Sequence, residues 1–320
     1  MAPVTVVRPI HVPVMLDEVV DALRPALSAP DATVLDATVG MGGHAAALLE
    51  AFPNARLIGI DRDGDALTIA GERLAPYGQR VHLVRARFDA LPDVLDELGQ
   101  HLVQAVLFDL GLSSLQIDQT ERGFSYAKDA PLDMRMDDRL EVSAADIVNT
   151  WTAAELARVF SAYGEEPHAL RVAQAVVAAR SEEPITTTAQ LVDVVTGAMP
   201  AAVRFGSGGH PAKRVFQALR IAVNDELTAL ADALPACLSR VAVGGRVAVL
   251  SYHSLEDRLV KHAFRDASES QAPRHLPVVP ESLMPAFRVV ESLVPSADEV
   301  AENTRAASAR LRVVTRIKEA

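Results

Sequence analysis

The stretch from Thr33 to His44, Thr-Val-Leu-Asp-Ala-Thr-Val-Gly-Met-Gly-Gly-His, constrains this chain more than any other. Val34, Leu35 and Asp36 read as a short buried strand, and the chain then turns through Gly40, Gly42 and Gly43 into an apolar, alanine-rich helical segment, His44 to Phe52. Strand, glycine turn and helix let backbone N–H groups and a helix N-terminus come close to a nucleotide or nucleoside. Glycine suits the turn because a Cβ would clash with the ligand or forbid a positive φ. A second strand, Leu57 to Ile60, ends in Asp61, about twenty residues beyond the turn. A carboxylate at that distance accepts hydrogen bonds from both hydroxyls of a ribose.

The alternation continues. A helix is expected over Gly64–Leu74, a third strand over Val81–Val84, a helix near Leu91–Leu98 and a fourth strand over Ala105–Asp109. Short apolar strands alternating with helices imply a parallel sheet covered on both faces. Ligands on such sheets bind at the carboxyl ends of the strands, where Asp61, Phe88 and Asp109 fall.

From Leu115 to Phe205 no strand pattern is visible. An Asp- and Arg-rich loop leads into helix signals, with capping-box spacing at Ser143–Asp146 and Thr152–Glu155. Further helices are expected over Ala169–Arg180 and Ala189–Met199, the second behind a threonine run. A long helix then starts near Pro211, with an apolar stripe (Val215, Leu219, Val223, Leu227, Leu230) opposite a polar one (Lys213, Gln217, Arg220, Asn224), and Pro235 ends or kinks it. The sheet resumes with a Gly244-Gly245 turn, a strand over Arg246–Leu250 and a helix over Leu255–Phe264. Residues 272–285, holding four prolines, read as an irregular loop, and Phe287–Val294 and Ala309–Ile317 alternate as a terminal strand pair. The division that follows is a sheet domain of residues 1–114 and 222–320, with an inserted all-helical domain of residues 115–221.

The single cysteine, Cys237, excludes an internal disulfide and a cysteine-rich zinc site, and the histidines show no metal-ligand spacing. No apolar run reaches membrane-spanning length, so a cytoplasmic protein with no membrane partner is expected. Net charge of −11 argues against indiscriminate nucleic-acid binding. Two segments carry basic residues and no acid: one between Asp193 and Asp225, with Arg204, Lys213, Arg214 and Arg220, and one over Asn303–Lys318, with Arg305, Arg310, Arg312, Arg316 and Lys318. Each reads either as a footprint for a polyanion or as a solvated face paired with nearby acids.

Two ligand classes fit the opening unit, a dinucleotide such as NAD and S-adenosylmethionine. Asp36 favours the second, because a carboxylate four residues before the first glycine would repel a pyrophosphate but satisfy an ammonium group. The late strand pair also suits a seven-stranded methyltransferase sheet. No glycine-flanked serine suggests a hydrolase.

Taken together, the motifs resemble the MraW-type family of ribosomal RNA small-subunit methyltransferases over nearly the whole length. The blocks are His11–Glu18, Asp36–His44, Gly59–Asp63, Phe108–Ser114 with Gln116, Glu121–Ser125 and Pro131–Asp137. Further along come Tyr163–Glu166, His210–Arg214 with Phe216–Ala218, Ser251–Arg258 and Ala301–Asn303. The resemblance implies a Rossmann-like S-adenosylmethionine-dependent methyltransferase with an inserted helical, RNA-recognising domain. It implies methyl transfer to the exocyclic N4 of a cytidine in 16S rRNA near the decoding centre, with S-adenosylhomocysteine as product. The small ribosomal subunit is the implied partner, and a homodimer stays open. Cofactor contacts carry over to Gly42, Gly43, His44, Asp61, Phe88, Asp109 and Gln116, beside Asp36 and Gly40 of the same unit. Asp61 would hold the ribose, Phe88 and Asp109 the adenine, and the glycine turn the methionine end.

Two positions depart from the pattern: Val39 stands where many relatives have a bulky residue, and Asp109-Leu-Gly-Leu112 stands where DNA amino-methyltransferases carry Asp/Asn-Pro-Pro-aromatic. The groups that activate the target amine are therefore sought at two strand ends. Ser113, Ser251 and Ser254 are candidate acceptors. His253 is either a late proton acceptor or a cap of the following helix.

Overall fold

The computed structural model describes residues 12–204, 209–270 and 283–319, with 272 and 280. His11 and most of the proline-rich stretch 272–285 lie outside the described residues. Contacts divide the chain into two compact units. One comprises Met1–Asp61, Asp65–Gly111 and Asp232–Ala320, the other Arg62–Gly64 and Leu112–Ala231.

The first unit is built on a seven-stranded sheet. Its strands are β1 (Thr33–Asp36), β2 (Arg56–Asp61), β3 (Val81–Arg85), β4 (Val103–Asp109), β5 (Val241–Ser251), β6 (Phe287–Leu293) and β7 (Arg310–Arg316), in the order β3-β2-β1-β4-β5-β7-β6. Pairings among β1–β5 are parallel, and β7 runs antiparallel between β5 and β6. The seven expected strands are all present. The order reverses between β1 and β4, and a sheet of this kind binds ligands in the crevice outside the carboxyl ends at that point.

Every residue of β1 is buried, as a central strand covered on both faces requires. The helix Leu16–Leu27, absent from the expected elements, packs Val19, Ala22 and Leu23 of its apolar stripe into this core. Gly244 and Gly245 form no turn between elements. They lie inside β5, where Val103 pairs with Val241 and Ala105 already pairs with Arg246, so the extra residues bulge out of the ladder.

The second unit is helical. Its only strand-like feature among the described residues is one bridge, Pro131 to Thr187. The expected caps Ser143 and Thr152 close reciprocal capping boxes with Asp146 and Glu155, and of the threonine run it is Thr187 that caps the next helix, in a capping box with Gln190. Its core is separate and includes Phe160, Val172, Leu191, Phe216 and Leu219.

The long helix expected from Pro211 is two helices, Lys213–Asn224 and Glu226–Ser239. Asp225 between them adopts a left-handed conformation at φ 49°, which ends the first helix. Pro235 lies within the second helix and does not end it.

Candidate active site

The residues singled out in the opening stretch converge at the carboxyl edge of the sheet. Gly40 and Gly42 both need a positive φ, at 52° and 77°, and Gly42 leads into the helix Gly43–Ala51. A Cβ on Gly40 would have only the Thr38 carbonyl within van der Waals reach, so that side of the turn is open to a ligand. Gly43 is glycine for a different reason: a Cβ there would fall 2.6 Å from Cγ of Pro13. The Gly40 N–H donates to Asp61 Oδ2 at 2.8 Å, tying the end of β2 to the turn. Phe88, just beyond β3, packs edge-on against Phe108 at 5.8 Å.

Around this turn the charges are crowded. Asp36, at the end of β1, is 1% exposed, and burial pushes its carboxyl up to about 7. The His44 ring and the Thr38 N–H, at 3.2 Å, draw that value down, while Asp109 and Asp61 raise it further. His44 is buried; its Nε2–H donates to the Val14 carbonyl at 3.0 Å, and Nδ1 lies 3.4 Å from Asp109 Oδ2. Burial disfavours the charged ring, but the neighbouring Asp109 and Asp36 outweigh it and raise the histidine above its ordinary pKa.

Asp109 at the end of β4 is 28% exposed and is held from three directions. Its N–H donates to Thr38 Oγ1 at 2.6 Å, its Oδ1 accepts from the Tyr252 hydroxyl at 2.6 Å, and Oδ2 faces His44. Tyr252 was not among the residues sequence reasoning picked out. Burial, with the Asp109 carboxylate next to it, pushes its phenol well above the usual range, so it stays a donor.

The expected catalytic residues divide. Ser251 is buried in β5, and its hydroxyl donates to the Arg310 carbonyl of the paired strand β7 at 3.4 Å. His253 is the N-cap of the helix Ser254–Ser268. Its Nδ1 accepts from the Glu256 N–H at 3.4 Å and its Nε2 lies 3.2 Å from Glu256 Oε1. At that distance Nε2 and the carboxylate attract one another, although the alignment is too poor for a hydrogen bond. Both ring nitrogens face Glu256, the geometry of the capping alternative expected for this residue. Ser254 is exposed at the first turn of that helix.

Within the helical unit, Ser113 and Gln116 form a reciprocal capping box. The Ser113 hydroxyl accepts from the Gln116 N–H at 3.3 Å, and the Gln116 side chain accepts from the Ser113 N–H at 3.1 Å. The Gln116 amide donates to Asp63 at 3.0 Å, and Arg122 pairs with the same carboxylate.

The four basic residues of the first acid-free segment share no single fate. Lys213 and Arg214 are exposed on the first turn of their helix. Arg204 is exposed but donates to the carbonyls of Thr196 and Gly197. Arg220 departs from the expectation: its guanidinium is engaged bidentately by Glu226 at 2.8 and 2.9 Å, the side chains only 12% and 9% exposed. Gln217 donates to the Tyr163 carbonyl, and Asn224 joins Met134, Met136 and Arg220 backbone groups, so beyond Lys213 this polar stripe is a bonded seam and not a solvated face.

A family model described as the MraW methylase family matches residues 8–317. The chain belongs to the MraW methylase family. Curated relatives agree over nearly full length, each called ribosomal RNA small subunit methyltransferase H. The protein from Streptomyces avermitilis is 54% identical, covering 97% of this chain and 98% of its own. That of Thermobifida fusca is 55% identical over 97% and 94%, and that of Frankia alni 56% over 96% and 95%. A solved ribosomal RNA methylase from Streptococcus thermophilus aligns with a TM-score of 0.42 at 14% identity, over 98% of this chain and 100% of its own, a likeness too loose to carry weight. As an MraW methylase the chain is a methyltransferase that uses S-adenosylmethionine. Its own residues suit that cofactor: an open glycine turn, a carboxylate at the end of β2 in Asp61, an aromatic at Phe88 and a buried acid beside the turn at Asp36.

Proposed function

We propose that this methyltransferase acts on the exocyclic N4 of a cytidine in 16S rRNA of the small ribosomal subunit, near the decoding centre. The observation that carries the reading is the set of aspartates at the ends of β1, β2 and β4 around the glycine turn, in a chain whose full-length relatives bear the small-subunit methyltransferase name. S-adenosylmethionine supplies an electrophilic methyl group and leaves as S-adenosylhomocysteine.

The chain's task is to make a poor nucleophile attack. The lone pair of the cytosine amino group is delocalised into the ring, and an acceptor on its N–H draws the nitrogen toward a tetrahedral geometry. Positioning and acceptor placement do this work, and the proton is lost afterwards. With Ser251 and His253 built into the fold, this reading moves Asp109 from the adenine contact expected above to the acceptor on the target amine: it is partly exposed, at a strand end, and oriented by Tyr252 and His44. The helical unit is proposed as the RNA-recognising part, with Lys213 and Arg214 on phosphates.

Purified small subunits treated with the protein and labelled cofactor, then digested and analysed by mass, are expected to yield N4-methylcytidine. Label in another nucleoside, or none, overturns the reading. Replacing Lys213 and Arg214 together is expected to lower the slope of log affinity against log salt by roughly one to two units.

A further inference from the structure

We propose that His210 is a stacking platform for one unpaired base of the RNA, an inference that rests on the RNA-methylating reading above. Three aromatic rings of the helical unit form a ladder from its core outward. Phe216 is buried, Tyr126 meets it edge-on at 5.9 Å and 81°, and His210 stacks on Tyr126 at 4.7 Å and 21°. Tyr126 is half-buried and His210 is exposed, so the ladder ends on a ring that borders solvent.

That ring is held before any ligand arrives. Tyr126 supports it, and its Nδ1 accepts the Ala212 N–H at 3.2 Å, which leaves the ring hydrogen on Nε2. A preordered ring loses little freedom when a base stacks on it.

The charges beside it suit a polyanion. Lys213 and Arg214 follow on the first turn of the helix Lys213–Asn224, both exposed, and no acid occurs between Asp193 and Asp225. An aromatic face next to cations that track a backbone is how single-stranded nucleic acid is bound with little regard to sequence. A duplex offers no base face to such a ring. The ligand class is therefore a single-stranded RNA segment, one base on His210 and its phosphates on Lys213 and Arg214.

The test separates stacking from helix capping. His210→Phe keeps the flat ring and loses the acceptor; His210→Asn keeps an acceptor and loses the ring. Binding of the full chain to hexacytidylate, to the same oligomer with abasic sites, and to a duplex is followed by fluorescence anisotropy, with S-adenosylhomocysteine affinity as the control for folding. His210→Asn is expected to bind hexacytidylate about ten- to a hundredfold more weakly, His210→Phe within threefold of the parent (~0.7 kcal/mol). The abasic oligomer should bind all three alike.

The opposite ranking, Asn harmless and Phe damaging, makes His210 a cap and overturns the proposal. So does equal loss on the abasic oligomer, or a parent protein that prefers the duplex. If the parent methylates subunits while His210→Asn binds hexacytidylate normally, only the stacking role fails. If the parent neither binds RNA nor methylates subunits, the functional reading fails with it.

Discussion

Two regions of this protein gather charge, and they treat it in opposite ways. At the carboxyl edge of the sheet, Asp36, Asp61 and Asp109 interact, His44 lies beside Asp36 and Asp109, and burial, with the neighbouring carboxylates adding to it, pushes Asp36 up to about 7. In the helical unit the seam of Asp63, Gln116, Arg122, Arg220, Asn224 and Glu226 matches donors to acceptors. Matched charge holds helices in register but offers little to a ligand. Like charges held close together cost stability and are kept where a bound group can answer them. The candidate chemistry lies in the first region and structural support in the second.

That contrast breaks most readily in the seam. Arg220→Ala leaves the Glu226 carboxylate buried without its guanidinium and is expected to cost about 3–5 kcal/mol of stability. Urea unfolding reads this, and replacing Arg220 and Glu226 together by apolar residues should recover most of the loss. A stable Arg220→Ala protein with a reduced salt slope on RNA would return Arg220 to the surface.

The next effect falls on the sheet edge. Asp61→Ala is expected to weaken S-adenosylhomocysteine binding by about 1.5–3 kcal/mol, the worth of hydrogen bonds to a charged group. The fold should hold, since Asp61 lies at a strand end. Because Asp61 also accepts the Gly40 N–H, Asp61→Asn should recover part of the loss. Unchanged affinity by calorimetry would remove Asp61 from the site.

Tyr252→Phe sharpens the role of Asp109. Losing the hydroxyl frees the carboxylate to rotate, and single-turnover methylation is expected to slow about tenfold, ~1.4 kcal/mol, with cofactor affinity nearly unchanged. A normal rate would make Tyr252 mere packing.

A further effect is on the pH dependence of stability. Asp36 holds its proton in the folded chain to about 7 against an ordinary 3.8, so the unfolded chain releases it first and stability falls as pH rises across that interval. His44, raised above its ordinary value, adds in the same direction: its contribution is present at low pH and is lost as pH rises through its folded pKa. The melting temperature of the protein without cofactor should therefore drop over this window, and Asp36→Asn should flatten the drop. An equal drop in the variant would place the cause elsewhere.

The two basic segments show how far a sequence signal reaches. Both lack acids, yet only the first presents an adjacent exposed pair, Lys213 and Arg214. In the second, Arg312 pairs with Asp257 at 2.7 and 3.0 Å, and Arg316 donates to the carbonyls of Lys318, Ser239 and Val241. The acid that neutralises Arg312 stands 55 residues earlier in the chain, where no local window reveals it.

What the sequence determined alone is whatever local rules govern: the seven strands, the capping boxes, and the glycine turn with its following acid. Period-two and period-3.6 patterns, caps and positive-φ glycines act within a few residues, so they are legible in the order of residues. Tertiary structure decided the rest. It turned Ser251 into a buried strand residue, His253 into a cap and Arg220 into half of an ion pair. It also brought Tyr252 to Asp109 across 143 residues and set His210 on Tyr126. In each case but the cap, two groups distant in sequence or set on different elements meet only through folding, and burying a polar group is costly enough that most such groups find a partner there.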